Sequence, residues 1–199
     1  FPGYKFSGYK DFRLFKGIVL KGDALLDLNV TSRRINVPGG PSAELESIIS
    51  MPDNTDYNIN YRATILLGTG GSCPELGFAR LNGTKPFSLS VQEAYNTRLF
   101  HEGIFCNIKS IDGMEFDDVK KRGVKGVIKP SSPNMLIKGI NADGWLIDPV
   151  VFDCAYQMAL LWTQEACNMM ALPSDIDQYV CHRPYDGSEV FCEVHVNRL

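Results

Sequence analysis

The chain has 199 residues, 44% of them apolar and 22% charged, and a formal charge of −3. That is ordinary globular composition, enough for one large domain or two halves sharing a core. The negative balance and the lack of Lys/Arg runs exclude an electrostatic nucleic-acid surface, and no charge-free apolar run reaches the roughly 18 residues of a membrane span.

The first residues, FPGYKFSGYKDFRLFKG, have the features of neither a signal peptide nor an arginine-rich transit segment. Residues 12–32 predict a strand, a turn around Gly22-Asp23 and a second extended stretch. NVPGGPS (36–42) is turn material, and 57–67 reads as a strand entering a core. GTGGSCPELG (68–77) is glycine-rich but lacks the GK[ST] ending of a phosphate-binding loop. A short strand is expected over 76–81.

From about Ser88 the pattern changes. SVQEAYNTRLF offers a short helix, HEGIFCNIKSIDGMEF a strand through Ile111, and 119–129 a strand with exposed lysines. Asp148-Pro149 is a helix start, with Asp as N-cap and Pro at the first helical position. The helix is expected over about 149–171, stopped by Pro173. Two strands, 178–183 and 189–196, are expected to form a hairpin through PYDGS. A long helix that is apolar on all sides must be enclosed, and a curved antiparallel sheet wrapped around a central helix, the hotdog arrangement, encloses one. The fold class expected is therefore α+β.

Within that helix the chain places Asp153 and, four residues on, Gln157. Both fall on one helical face. A buried carboxylate is costly unless it is partnered, so the pair either serves the helix start or lines a cavity where an acid is useful. Six cysteines are scattered without a CxxC pair, and His101, His182 and His195 lack ligand spacing with them. Reduced thiols, a cytoplasmic setting and no metal are expected.

DPVVFDCAYQ resembles the DxxxQ segment, usually written HPxLLDAxxQ, of dehydratase domains in type I polyketide synthases and polyunsaturated fatty-acid synthases. RLFHEGIFCNIKSIDGM is similar to the family's segment with an aromatic or His, then GP and FQGI. LWTQEACNMMALPSDIDQY and FRLFKGIVL extend the likeness over nearly the whole chain. The resemblance implies a double hotdog, with a partial first hotdog over 1–87 and a second over 88–199. It implies elimination of water from 3-hydroxyacyl thioesters on an acyl carrier protein bearing phosphopantetheine, without a cofactor. Other synthase domains are implied partners, and a homodimer is possible within the family.

Carried over, Asp153 is the acid, which apolar surroundings would keep protonated, and Gln157 holds the carboxyl or the substrate hydroxyl. His101 and Phe105 fall at the pocket mouth as substrate-binding residues. Asp148 stands at the family's His of HPxLLD, where helix capping is its expected role. The chain departs from the pattern in three places. No HxxxGxxxxP segment bearing the family's basic His is present, Glu102-Gly103 replaces Gly-Pro, and Cys106-Asn107 replaces Gln-Gly. The base and the first hotdog's helix are therefore expected from an N-terminal piece or partner chain outside this sequence. Two other functions remain open: a non-catalytic acyl-binding or scaffold domain, and a hotdog thioesterase in which the helix carboxylate activates water.

Overall fold

The computed structural model describes residues 3–22, 25–35, 42–52, 59–69, 80–116, 122–140, 144–182 and 185–197. Nearly all of the expected turn at 36–42, most of the glycine-rich stretch at 68–77 and most of the expected strand at 76–81 lie outside the described residues. The chain forms two compact units. Unit 1 comprises Phe1–Glu75 with Pro173–Arg183, and unit 2 comprises Leu76–Leu172 with Pro184–Leu199. The division drawn from the sequence, 1–87 and 88–199, differs in two respects: the break falls after Glu75, and a late segment, Pro173–Arg183, groups with the first unit.

Unit 1 is an antiparallel sheet of five strands. These are β1 (Lys5–Leu14), β2 (Asn29–Arg34), β3 (Ser42–Ser50), β4 (Ile59–Gly68) and β7 (Asp175–Val180), in the order β2-β3-β4-β1-β7. Its register sets Tyr179, Tyr9, Ile65 and Leu45 directly opposite one another, so they share one face. Leu67 with Ala43, and Tyr61 with Ile49 and Val30, continue that apolar face. The Tyr9 and Tyr179 rings stack at 5.2 Å. The other face carries the ion pairs Lys10–Glu44 (3.1 Å) and Arg33–Glu46 (2.7 Å). Among the described residues, unit 1 contains no helix.

Strand β7 corrects the expected hairpin. Residues 175–180 pair with β1, Tyr179 opposite Tyr9, and do not pair with the last strand. Local turn chemistry in PYDGS suggested the hairpin, but an aromatic row on β1 offers β7 a better cross-strand match than Val190–His195 does.

Unit 2 has a three-stranded antiparallel sheet of β5 (Ile108–Glu115), β6 (Gly123–Ile128) and β8 (Val190–His195), in the order β5-β6-β8. Three helices accompany it: α1 (Val91–Thr97), α2 (Pro133–Leu136) and α3 (Pro149–Cys167). Helix α3 packs against all three strands. Gly126 on β6 leaves no room for a side chain, because a Cβ there would collide with the Ser110 carbonyl oxygen of β5 and sit 3.1 Å from the Met158 methyl of α3. Met158, Leu161, Trp162, Val124, Ile128 and Met114 form the core. The Trp162 indole N–H donates to the Glu115 carbonyl at 2.9 Å, so the ring's polar atom is satisfied inside it.

The helix ends are set by local chemistry. Asp148 Oδ1 accepts from the backbone N–H groups of Val150 (2.9 Å) and Val151 (3.2 Å), as its expected N-cap role requires. Its other oxygen accepts from the Ser131 N–H at 2.6 Å, which ties the helix start to the segment after β6. Helix α3 ends at Cys167, before the expected 171, because Asn168 adopts the left-handed conformation (φ 53°) and closes the last turn. Ser90 and Glu93 form a reciprocal capping box at the start of α1. The segment expected as one strand from His101 instead makes a 3-10 turn, Gly103–Phe105, and strand β5 begins at Ile108. Gly103 takes φ +60° there, which a strand cannot accommodate.

Candidate active site

The sequence-derived candidates converge within unit 2, where the first turns of α3 meet α1 and the 3-10 turn. Gln157 is buried, and its side-chain amide makes every hydrogen bond its geometry allows on this side of the helix. Nε2 donates to Asp153 Oδ2 at 2.6 Å and to the Phe105 carbonyl at 2.9 Å. Its oxygen, Oε1, accepts from the Tyr95 hydroxyl at 2.9 Å. The spacing of four in the sequence thus produces a direct bond between the two side chains.

Asp153 is less enclosed than its apolar neighbours suggested. Its side chain keeps 35% of its surface open, because the Phe152–Asp153–Tyr156 side of α3 is half-buried while the Cys154–Met158–Leu161 side is sealed. The carboxylate is therefore reachable from outside the core, as a group that meets a substrate must be.

His101 Nε2 lies 3.5 Å from Asp153 Oδ2, with a side chain only 15% exposed. The imidazole stacks on Phe100 at 4.3 Å between centroids. Its Nδ1 is buried without a hydrogen-bond partner among the described residues. A neutral imidazole has one N–H; placed on Nε2, it points toward the carboxylate and leaves Nδ1 as a bare acceptor. His101, expected at the pocket mouth, stands beside Asp153. Phe105, the other expected substrate-binding residue, lies in the 3-10 turn. Its ring packs against the core, and its backbone carbonyl is the group that anchors Gln157.

Sequence reasoning missed Tyr95. It stands 62 residues before Gln157, and nothing in its spacing within α1 points to α3. Its hydroxyl also accepts from the Ile108 backbone N–H at 3.1 Å, and burial pushes its pKa well above the usual phenol value. Cys154 is sealed beneath the same site. Burial raises its thiol to about 11, so it is an inert packing group at neutral pH. Cys106, Cys154, Cys167 and Cys192 are free thiols.

A sheet laid along a single long helix, together with a second strand set, defines a hotdog-type architecture, here with a first hotdog that has no helix among the described residues. Solved structures that share this fold include dehydratase domains of curacin polyketide synthase. The dehydratase domain from the CurF module of curacin polyketide synthase matches with a TM-score of 0.65 at 13% identity, over 98% of this chain and 67% of that one. An inactive Asp-to-Asn mutant of CurK dehydratase matches with a TM-score of 0.63 at 16% identity, over 98% and 65%. The dehydratase domain of RzxB from Pseudomonas fluorescens gives 0.55 at 12%, over 96% and 64%. In sequence, the chain is 28% identical over 213 residues to a polyunsaturated fatty acid synthase protein of Thraustochytrium sp.. The match spans 96% of this chain but 7% of that much longer protein, and the chain spans about two thirds of the dehydratase structures. No protein-family profile matches. The fold is that of the dehydratase domains of such synthases, as the DxxxQ segment implied. Among the described residues, no helix is long and apolar enough to cross a membrane.

Proposed function

We propose that the chain is a dehydratase-type domain of a polyketide or polyunsaturated fatty-acid synthase, acting on 3-hydroxyacyl thioesters carried by an acyl carrier protein. The observation that carries this reading is the 2.6 Å bond from Gln157 to a half-open Asp153, on the long helix of a dehydratase-like fold. In the reaction a base removes the α-proton, the Cβ–O bond breaks, and the departing hydroxyl takes a proton to leave as water. The electron pair of the C–H bond becomes the new double bond. Asp153 is the acid that supplies the proton, and Gln157 holds its carboxyl in one orientation. The inactivity of an Asp-to-Asn mutant in a dehydratase of the same fold accords with an essential carboxyl.

The base is an imidazole. The sequence reading takes it from a segment outside this chain, which would also cover the apolar face of unit 1. A second reading is favoured by the 3.5 Å separation of His101 and Asp153: His101 itself is the base, and the couple is contained in unit 2. The free thiols accord with a cytoplasmic setting.

The test is an assay of the chain on a 3-hydroxyacyl carrier protein, followed by mass spectrometry of the loss of water. Asp153→Asn is expected to lower the rate by about 10²–10⁴-fold. Activity of the chain alone that is abolished in His101→Asn places the base within it. Activity only when a His-bearing segment is supplied places the base outside. Hydrolysis of the thioester in place of dehydration identifies a thioesterase. Acyl binding with no turnover in either format identifies a binding or scaffold domain, and dehydration unchanged in Asp153→Asn overturns the assignment of the acid.

A further inference from the structure

We infer that Tyr95 is a positioning residue for Asp153, acting through Gln157. Together with the Phe105 carbonyl, it holds the amide so that its N–H, and not its oxygen, faces the carboxyl. The inference rests on the dehydratase reading only for its catalytic meaning; the geometry stands without it.

The argument begins from a group whose polarity is fixed. The backbone N–H of Ile108 donates, and it does so to the Tyr95 oxygen at 3.1 Å. The hydroxyl proton must then point elsewhere. Two acceptors lie within reach: Gln157 Oε1 at 2.9 Å and the Phe105 carbonyl at 3.5 Å. The nearer takes it, and the Phe105 carbonyl, which can only accept, independently requires Nε2 beside it at 2.9 Å. Once Oε1 is an acceptor, Nε2 faces the other way, and its remaining proton goes to Asp153 Oδ2 at 2.6 Å. Side-chain amides of this kind are ambiguous when taken alone. Here one end of the chain of bonds is a main-chain N–H, so every member is assigned.

Two consequences follow for the acid. Asp153 Oδ2 is held as an acceptor, so the proton that a protonated Asp153 carries sits on Oδ1, the oxygen that Gln157 does not hold. A hydrogen bond donated to a carboxylate favours its ionised form in general, so the strength of this contact can be read at the carboxyl. Removing the Tyr95 hydroxyl leaves both Oε1 and the Ile108 N–H without a partner inside the protein. The amide is then held on that side by the Phe105 carbonyl alone, and its hold on Asp153 loosens.

The experiment is a ¹³C NMR titration of the Asp153 carboxyl in the full chain, for the wild type, Tyr95→Phe, Gln157→Met and the double variant. His101 is the titratable group facing Asp153 from outside α3, so its imidazole is followed in the same samples to separate its contribution. Tyr95→Phe is expected to move the Asp153 midpoint upward in the wild-type background and to leave it unmoved when residue 157 is Met. An equal shift in both backgrounds, or none in either, overturns the inference. If Tyr95→Phe does not fold, 3-fluorotyrosine placed at position 95 replaces it. Its stronger donation to Oε1 is expected to move the midpoint downward in the wild-type background alone. The carboxyl titration does not depend on turnover. A shift in a chain that never dehydrates would sink the dehydratase reading and keep this one; active chain without the shift would do the reverse.

Discussion

Unit 1 has five strands and almost no core, whereas unit 2 has three strands and nearly all of it. Every residue of the principal hydrophobic cluster belongs to unit 2, from Ala94 on α1 to Trp162 on α3. Among the described residues of unit 1, the fully or nearly fully buried apolar side chains are Ala43 and Tyr9, while Val30, Leu14 and Phe15 stand exposed. The strand ladders are equally regular in both. The difference shows that hydrogen-bonded pairing arranges a sheet but does not remove its apolar face from water; a helix laid across it does. The site follows the same division. Asp153, Gln157, His101 and Tyr95 all sit in the unit whose packing fixes their rotamers, as a site needs if its groups are to be held to within a fraction of an ångström.

The comparison can be broken in three places, taken in order of expected effect. Trp162→Ala empties the centre of unit 2 and is expected to cost about 3–5 kcal/mol. Hydrogen exchange should show β5, β6 and β8 losing protection before the strands of unit 1 do. Equal loss in both units would mean that they unfold together and that the contrast in packing is not a contrast in stability.

The next effect is a pH dependence that the buried thiols of unit 2 contribute. Burial holds the Cys154 and Cys192 thiols at about 11, above the ordinary 9.0. Because the folded values are raised, this contribution is complete below pH 9 and is lost as the pH climbs toward 11, where the unfolded thiols ionise first. Each group is worth on the order of 2 kcal/mol across that window. Thermal melts from pH 8 to 11 should steepen in the wild type and flatten in Cys154→Ala; parallel curves would remove burial as the cause.

The smallest effect belongs to the charged face of unit 1. Arg33→Ala breaks the bond to Glu46, but Arg33 is 76% exposed, so the loss is expected to stay below about 1 kcal/mol and to vanish in high salt. A larger, salt-independent loss would show that the ladder of unit 1 depends on its ion pairs more than its packing implies.

What the sequence discloses follows the range of the forces involved. Asp148-Pro149 and the i, i+4 relation of Asp153 and Gln157 are local, and each is legible because its geometry is complete within five residues. The end of α3 was misplaced because Asn168 stops it through backbone conformation, while the more conspicuous Pro173 lies beyond. The pairing of β7 was misplaced because a turn signal is local and its aromatic partner on β1 is not. Tyr95 and the position of His101 were hidden for the same reason: loops bring them to α3 from more than fifty residues away, and no periodicity records that meeting. The exposure of Asp153 was also beyond reach, since an apolar composition says how much of a helix is buried but not which side stays open.

The return of β7 to unit 1 has a consequence for how the chain is made. Strand β1 is among the first segments of this sequence to leave the ribosome, yet the neighbour that closes its outer edge is encoded more than 160 residues later, after all of α3. At a synthesis rate of roughly 5–20 residues per second, that edge stands open for about ten seconds or more. During that interval the Tyr9 row is an unpaired template with an apolar face, the arrangement that invites pairing with another nascent chain. The order of translation therefore makes β1 the place where misassembly would start, and β7, more than any residue of the site, the segment that ends the risk.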